Sequence, residues 1–159
     1  PQHFAKWLNV LPRYAVELFR RMADTLECVD LDGAPGWTVR GDIEMPDQPH
    51  RGIRLLPYFD AYVVAAQPRD RLFPGAAATR ALTPTGQAGN YPVVLVDGEV
   101  DGVWHPRRFG EKVVITVDLW REVTGRQRRQ LDDEVDLVGS VMEATATLSL
   151  GPVAVGPHA

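Results

Sequence analysis

Pro57 does more than any other residue to limit how this chain can fold. It interrupts the stretch Arg54-Leu55-Leu56-Pro57-Tyr58-Phe59-Asp60-Ala61-Tyr62, which is apolar apart from Arg54 and a single internal carboxylate. A proline fixes its own φ and drives the preceding residue, Leu56, into an extended conformation, so the segment is excluded from a helix interior and is expected to enter a sheet. Residues 58–67, rich in aromatic, Val and Ala side chains, read as a buried or half-buried strand. Asp60 then stands where a carboxylate is costly without partners. Two readings follow: it caps a turn or pairs with Arg69 or Arg71, or it belongs to a functional surface. The stretch is a seam, with a helical module ending in a hairpin before it and strands, hairpins and one late helix after it.

On the N-terminal side, Phe4, Trp7 and Leu8 recur at helical spacing and mark a short helix over residues 1–9. Pro12 is suited to a first helical turn and opens a second helix over residues 12–26. Ala15, Leu18, Phe19 and Met22 form its apolar face; Arg13, Glu17, Arg20, Arg21 and Asp24 form the other. Glu27-Cys28-Val29-Asp30-Leu31 and Trp37-Thr38-Val39-Arg40 read as strands around an Asp32-Gly33 turn. Two helices and a hairpin make a winged helix-turn-helix over residues 1–40. It would present the helix beginning near Pro12 to the DNA major groove, with Arg13, Arg20 and Arg21 as the cations, or else carry those charges on a solvated face. The chain starts at Pro1 without a methionine and already in helix, so the module is expected to be truncated at its start. Cys28 reads as a small core residue.

Residues 41–53 are polar and irregular and read as a linker. Beyond the seam, residues 68–92 are loop-like with one short helix over 74–82. Regular structure returns with Pro92-Val93-Val94-Leu95-Val96, an Asp97-Gly98 turn and a return strand over residues 99–104. Residues 112–120 form another strand after a turn at Phe109-Gly110-Glu111. Thr124-Gly125-Arg126-Gln127 has the capping-box form and introduces a helix to about Met142, with Leu131, Val135, Val138, Val141 and Met142 on its buried face. Residues 143–150 alternate as a last strand. The fold class is therefore α+β: a winged helix-turn-helix, then over residues 54–159 a small, partly closed antiparallel β-barrel with one late helix over about residues 126–142.

Composition narrows the function. A chain of 159 residues suits one ordinary domain or two small ones. No apolar run approaches the roughly 20 residues of a membrane span, and nothing resembles a secretory signal. The net charge of -4 supplies no general attraction for nucleic acid, so any DNA contact must come from a local basic face. One cysteine excludes an internal disulfide framework and fits a reducing cytoplasm. His3, His50, His105 and His158 lack metal-ligand spacing, and there is neither a glycine-rich phosphate loop nor a Gly-x-Ser-x-Gly elbow, so no metal and no cofactor is expected. Asp132, Asp133 and Glu134 read as a solvated helix face. The best polar cluster, Trp104-His105-Pro106-Arg107-Arg108, follows the hairpin; it could hold phosphates, or be an ordinary hairpin end with a buried Trp104.

The order of these motifs resembles a known bacterial family. Helix-turn-helix with wing, Leu55-Leu56-Pro57-Tyr58-Phe59-Asp60, Arg69-Asp70-Arg71 and the run from Pro92 to Trp104 are together similar to the C-terminal part of the winged-helix DNA-binding proteins that include the AlkZ/YcaQ crosslink-repair DNA glycosylases. The resemblance implies stacked winged-helix modules ending in a β-barrel, binding to double-stranded DNA, and in the glycosylase members excision of alkylated or crosslinked bases. Those members carry a Gln-x-Gln or His-x-Gln motif near the N-terminus of the full protein. Gln127 and Gln130 have the wrong spacing for it and Gln2-His3 the wrong order, so no catalytic residue is assigned here. The expected partners are duplex DNA, through Arg13, Arg20, Arg21, His105, Arg107 and Arg108, and the N-terminal remainder of the same protein; no membrane is expected. A transcriptional regulator with a ligand-sensing barrel and a protein-interaction module are the alternatives.

Overall fold

A computed structural model describes residues 1–31, 33–44 and 51–154. Asp32 of the expected hairpin turn, residues 45–50 of the expected linker with His50, and His158 lie outside them. The chain divides into two compact units, Pro1–Pro49 and His50–Ala159.

In the first unit, α1 (Gln2–Leu8) and α2 (Pro12–Arg21) precede a hairpin of β1 (Leu26–Leu31) and β2 (Ala34–Val39). Asn9 ends α1 at φ 53°, its N–H donating to the Ala5 and Lys6 carbonyls, a left-handed cap that asparagine tolerates. Pro12 occupies the first turn of α2, where its missing N–H costs nothing. This helix stops at Arg21, short of the expected residue 26, because the Thr25 N–H, the Thr25 hydroxyl and the Leu26 N–H all converge on the Met22 carbonyl and turn the chain into β1. Four aromatic rings tie the pieces together: Trp7 to Phe4 at 5.7 Å, Phe4 to Phe19 at 5.4 Å, and Phe19 to Trp37 at 6.0 Å between centroids. Cys28 is exposed, which corrects its expected core position; a two-stranded ribbon buries too little to enclose it.

The second unit holds a five-stranded sheet in the order β3-β4-β5-β6-β7, namely Ile53–Leu56, Val93–Val96, Glu99–Phe109, Lys112–Leu119 and Thr145–Leu150. The sheet forms half a barrel, and β3 and β7 each have a single hydrogen-bonded neighbour. Among the described residues four helices accompany it: α3 (Ala61–Ala65), α4 (Arg69–Leu72), α5 (Ala77–Arg80) and α6 (Gly125–Val141). Three expectations need correction. The strand lies before Pro57, and residues 58–67 hold α3 because the Asp60 carboxylate accepts from the Tyr62 and Val63 N–H groups and starts a helix there. The sheet is not wholly antiparallel, since β7 runs parallel to β6; a parallel neighbour needs a long crossover, and α6 is that crossover. The return strand β5 does not end at Trp104 but runs on to Phe109.

Each face of the sheet carries a core. On one face Trp104, Val94, Val96, Val113, Ile115 and Val117 pack with Leu131 and Val135 of α6. On the other, Val93, Leu95, Val100 and Val103 pack with α3 to α5 through residues such as Val63, Leu72 and Phe73. The α6 capping box is formed in both directions between Thr124 and Gln127. Gly139 lets α6 lie against β7: a Cβ there would stand 2.7 Å from Ala146 Cβ and 2.9 Å from the Ala144 carbonyl. Val141, expected on the buried face, is 77% exposed, since at helical spacing it falls to one side of the stripe of Leu131, Val135, Val138 and Met142 that packs against the sheet.

Candidate nucleic-acid interface

The cations of α2 are not equivalent. Glu17 lies one turn before Arg20 and Arg21, and its carboxylate accepts from both, at 2.8 Å from Arg20 Nε, 2.8 Å from Arg20 Nη2 and 2.7 Å from Arg21 Nε. The Arg20 hydrogen bonds, followed by those from Arg21, hold the Glu17 carboxyl down at about 2, so the three side chains carry a net charge of one cation. Arg13, in the first turn, is exposed and makes no hydrogen bond or ion pair among the described residues. His3 on α1 is also exposed.

In the second unit, Trp104 to Arg108 lie inside β5 rather than beyond the hairpin. Side chains alternate across a strand, so Arg107 and Arg108 point to opposite faces. Arg108 reaches the C-terminus of α6, its Nη1 donating to the Met142 carbonyl at 2.6 Å and its Nε to the Gly110 carbonyl at 2.9 Å, which satisfies helix carbonyls that lack partners within the helix. Arg107 is exposed and stacks over Phe109 at 5.0 Å. His105 shares the Arg107 face, and its Nδ1 is buried without a partner. Trp104 is buried and donates from Nε1 to the Leu56 carbonyl at 2.9 Å. Pro106 is tolerated because Trp104 N–H points to the Pro92 carbonyl beside β4, whereas two residues on, the same side has no strand among the described residues, β4 having paired only as far as Val103.

The polar residues around the seam hold local structure. Arg69 donates to the carbonyls of Val63 and Val64, at 2.6 Å in the latter case, closing the C-terminal end of the helix whose N-terminus Asp60 caps, and burial pushes its guanidinium below its usual range. Arg71 is exposed on α4. Phe59, just before the cap, takes φ 55° and is 55% exposed.

Several residues that patterning overlooked organise the second unit. Glu134 is not part of a solvated face with the exposed Asp132 and Asp133: its side chain is 12% exposed, accepts from the Leu55 N–H at 3.0 Å and lies 3.3 Å from Arg54. It closes a backbone position on the edge strand β3. Asp97 accepts from Gly52 N–H and from Gln127 Nε2, joining the β4–β5 turn to the capping box. A cavity of about 520 Å³ is lined by Arg80, Val117, Asp118, Arg121, Glu122 and Leu150 among others, and its arginines are engaged: Arg80 pairs with Asp118 at 2.7 Å and Arg121 with Asp101 at 2.6 Å. Among the described residues, no group of three His, Cys, Asp or Glu side chains could hold a metal ion, and no helix is long and apolar enough to cross a membrane.

With this geometry in hand, comparison with known proteins is informative. None of the curated proteins searched matches the chain. The solved structure of Streptomyces sahachiroi DNA glycosylase AlkZ is similar at a TM-score of 0.69 and 22% identity, covering 93% of this chain and 41% of that one. At that identity the likeness speaks for the fold, and this chain spans about two fifths of that protein's length. The profile of the family described as DNA glycosylase AlkZ-like matches residues 1–141, through both units to the end of α6. The chain belongs to the AlkZ-like DNA glycosylase family.

Proposed function

We propose that this chain is the DNA-binding C-terminal portion of a DNA-repair glycosylase acting on alkylated or crosslinked bases, working in the cytoplasm of a bacterium, with the groups that cleave the N-glycosidic bond supplied from outside these residues. The family match over residues 1–141 carries this reading. The helix pair and hairpin of the first unit act as a winged helix whose α2 approaches the duplex, and Arg13 is its main backbone contact because Arg20 and Arg21 already share Glu17. From the second unit Arg107 contacts DNA, whereas Arg108 is engaged at the end of α6. An excising enzyme needs a surface that holds distorted DNA as well as a polar group at the reacting sugar; this chain supplies the first.

Fluorescence anisotropy on a labelled duplex, over a range of salt, tests the reading. Binding should be salt-sensitive and largely indifferent to sequence, and tighter on an alkylated or distorted duplex. Arg13→Ala should lower the salt slope by about 0.9, and Arg20→Ala by less. Duplex affinity that is absent, or that ignores salt, overturns the proposal.

A further inference from the structure

The two faces of the sheet are unequally covered. The helices α3 to α5 pack on one face over β3, β4 and the first half of β5, where Val93, Leu95, Val100 and Val103 are buried. Further along the same face the pairing registers set three rows of side chains straight across three strands: His105, Thr116 and Ser149; Arg107, Val114 and Thr147; Phe109, Lys112 and Thr145. Arg107, Phe109, Lys112, Thr145, Thr147 and Ser149 are exposed, and no core residue belongs to these rows. Successive rows are two residues apart along each strand, about 6.8 Å.

The chemistry of this lattice is uniform. Arg107 and Lys112 make no ion pair among the described residues, and the Arg107 guanidinium lies over an aromatic ring that is itself 53% exposed. Behind them stand four hydroxyls and the partnerless Nδ1 of His105. Toward β4 the first carboxylate on this face is Asp118, opposite Val103, and Arg80 already neutralises it at 2.7 Å; at the other end Glu111 and Glu143 stand in the turns just before Lys112 and Thr145. Two unneutralised cations, hydroxyl donors at a regular repeat and a cation-backed aromatic platform are what a polynucleotide strand with accessible bases requires. A duplex hides its base faces in the stack, so the Phe109 ring gains nothing from it.

We propose that the uncovered face of β5, β6 and β7 binds an unpaired DNA strand, its phosphates on Arg107, Lys112 and the hydroxyls and one base stacked on Phe109. This rests on the DNA-binding reading above and specifies the form of DNA that Arg107 of the second unit contacts. It gives the chain a hold on the strand that becomes unpaired where a duplex is distorted.

The test is anisotropy of the whole chain with a fluorescein-labelled oligothymidine and, separately, with a duplex of the same length. Wild type should bind oligothymidine in a salt-dependent manner. Phe109→Ala should weaken that binding roughly ten-fold while leaving duplex affinity within two-fold, and Phe109→Tyr should restore it. Arg107→Ala with Lys112→Ala should lower the single-strand salt slope by about 1.4. These side chains are exposed, so circular dichroism should confirm that each variant keeps its fold. Duplex binding without oligothymidine binding overturns this inference and leaves the DNA-binding reading standing, and so does a Phe109→Ala variant that binds oligothymidine as well as wild type. Binding to neither removes both.

Discussion

The two units solve the problem of stability in opposite ways. The second is built on layers, with aliphatic side chains enclosed on both faces of one sheet and polar groups at its margins bonded to backbone. In the first, Ala5 and Ala15 are the buried hydrophobic residues among those described, while Trp7, Leu11, Tyr14, Val16, Trp37 and Val39 are each half exposed or more. A unit of that size has little interior to draw on, and its aromatic chain from Trp7 to Trp37 stands in for a core. Rigid scaffold and thinly packed module therefore coexist in one short chain, and the charged residues differ accordingly. Glu134 and Arg108 of the second unit close a strand edge and a helix end, whereas Arg13 in the first makes no hydrogen bond or ion pair among the described residues.

The contrast can be broken or sharpened by measurement. Leu131→Ala empties a fully buried site against the sheet and should cost about 2–5 kcal/mol in chemical denaturation. Phe19→Ala, which cuts the aromatic chain in the middle, should cost clearly less in the same experiment; equal losses would mean that the first unit has a core after all. Next, Glu134→Ala leaves the Leu55 N–H without its acceptor and should cost about 1–3 kcal/mol. Glu134→Gln, which keeps an oxygen in place, should cost less, and an equal loss would show that the charge near Arg54 is what counts. The smallest effect on stability should come from Glu17→Gln, which frees Arg20 and Arg21 at a site open to solvent on one side; its signature is tighter duplex binding with a steeper salt slope. The sign of the pH dependence follows from the lowered Glu17 value. Its contribution to α2 is complete above the usual 4.5 and is lost only as pH falls through about 2. An NMR titration of the Glu17 carboxyl checks this directly, and a midpoint near 4.5 would mean that the arginines stand apart in solution.

Much of this architecture was legible where local rules decide. Thr124 and Gln127 announced α6, Asp97-Gly98 announced the β4–β5 turn, and Pro12 announced α2. What escaped was set at long range or by one atom. Residues 58–67 have a composition that suits strand and helix alike, and the choice fell to the Asp60 carboxylate binding the first N–H groups of α3. The direction of β7 depends on where α6 docks, which alternation cannot reveal. Glu134 looks like its neighbours in sequence, and only the distant Leu55 N–H distinguishes it. In the candidate site, the separation of Arg107 from Arg108 follows from simple alternation once β5 is known to continue, but Pro106 hid that continuation.

That proline has a further consequence. Where β5 outruns β4, a bare strand margin would invite a neighbouring molecule to add itself and template a growing stack. Pro106 withholds the rung that such a guest would need first, and Arg107, beside it, adds charge that repels a second copy. Crowded copies of this chain are thereby kept from zipping together along that margin.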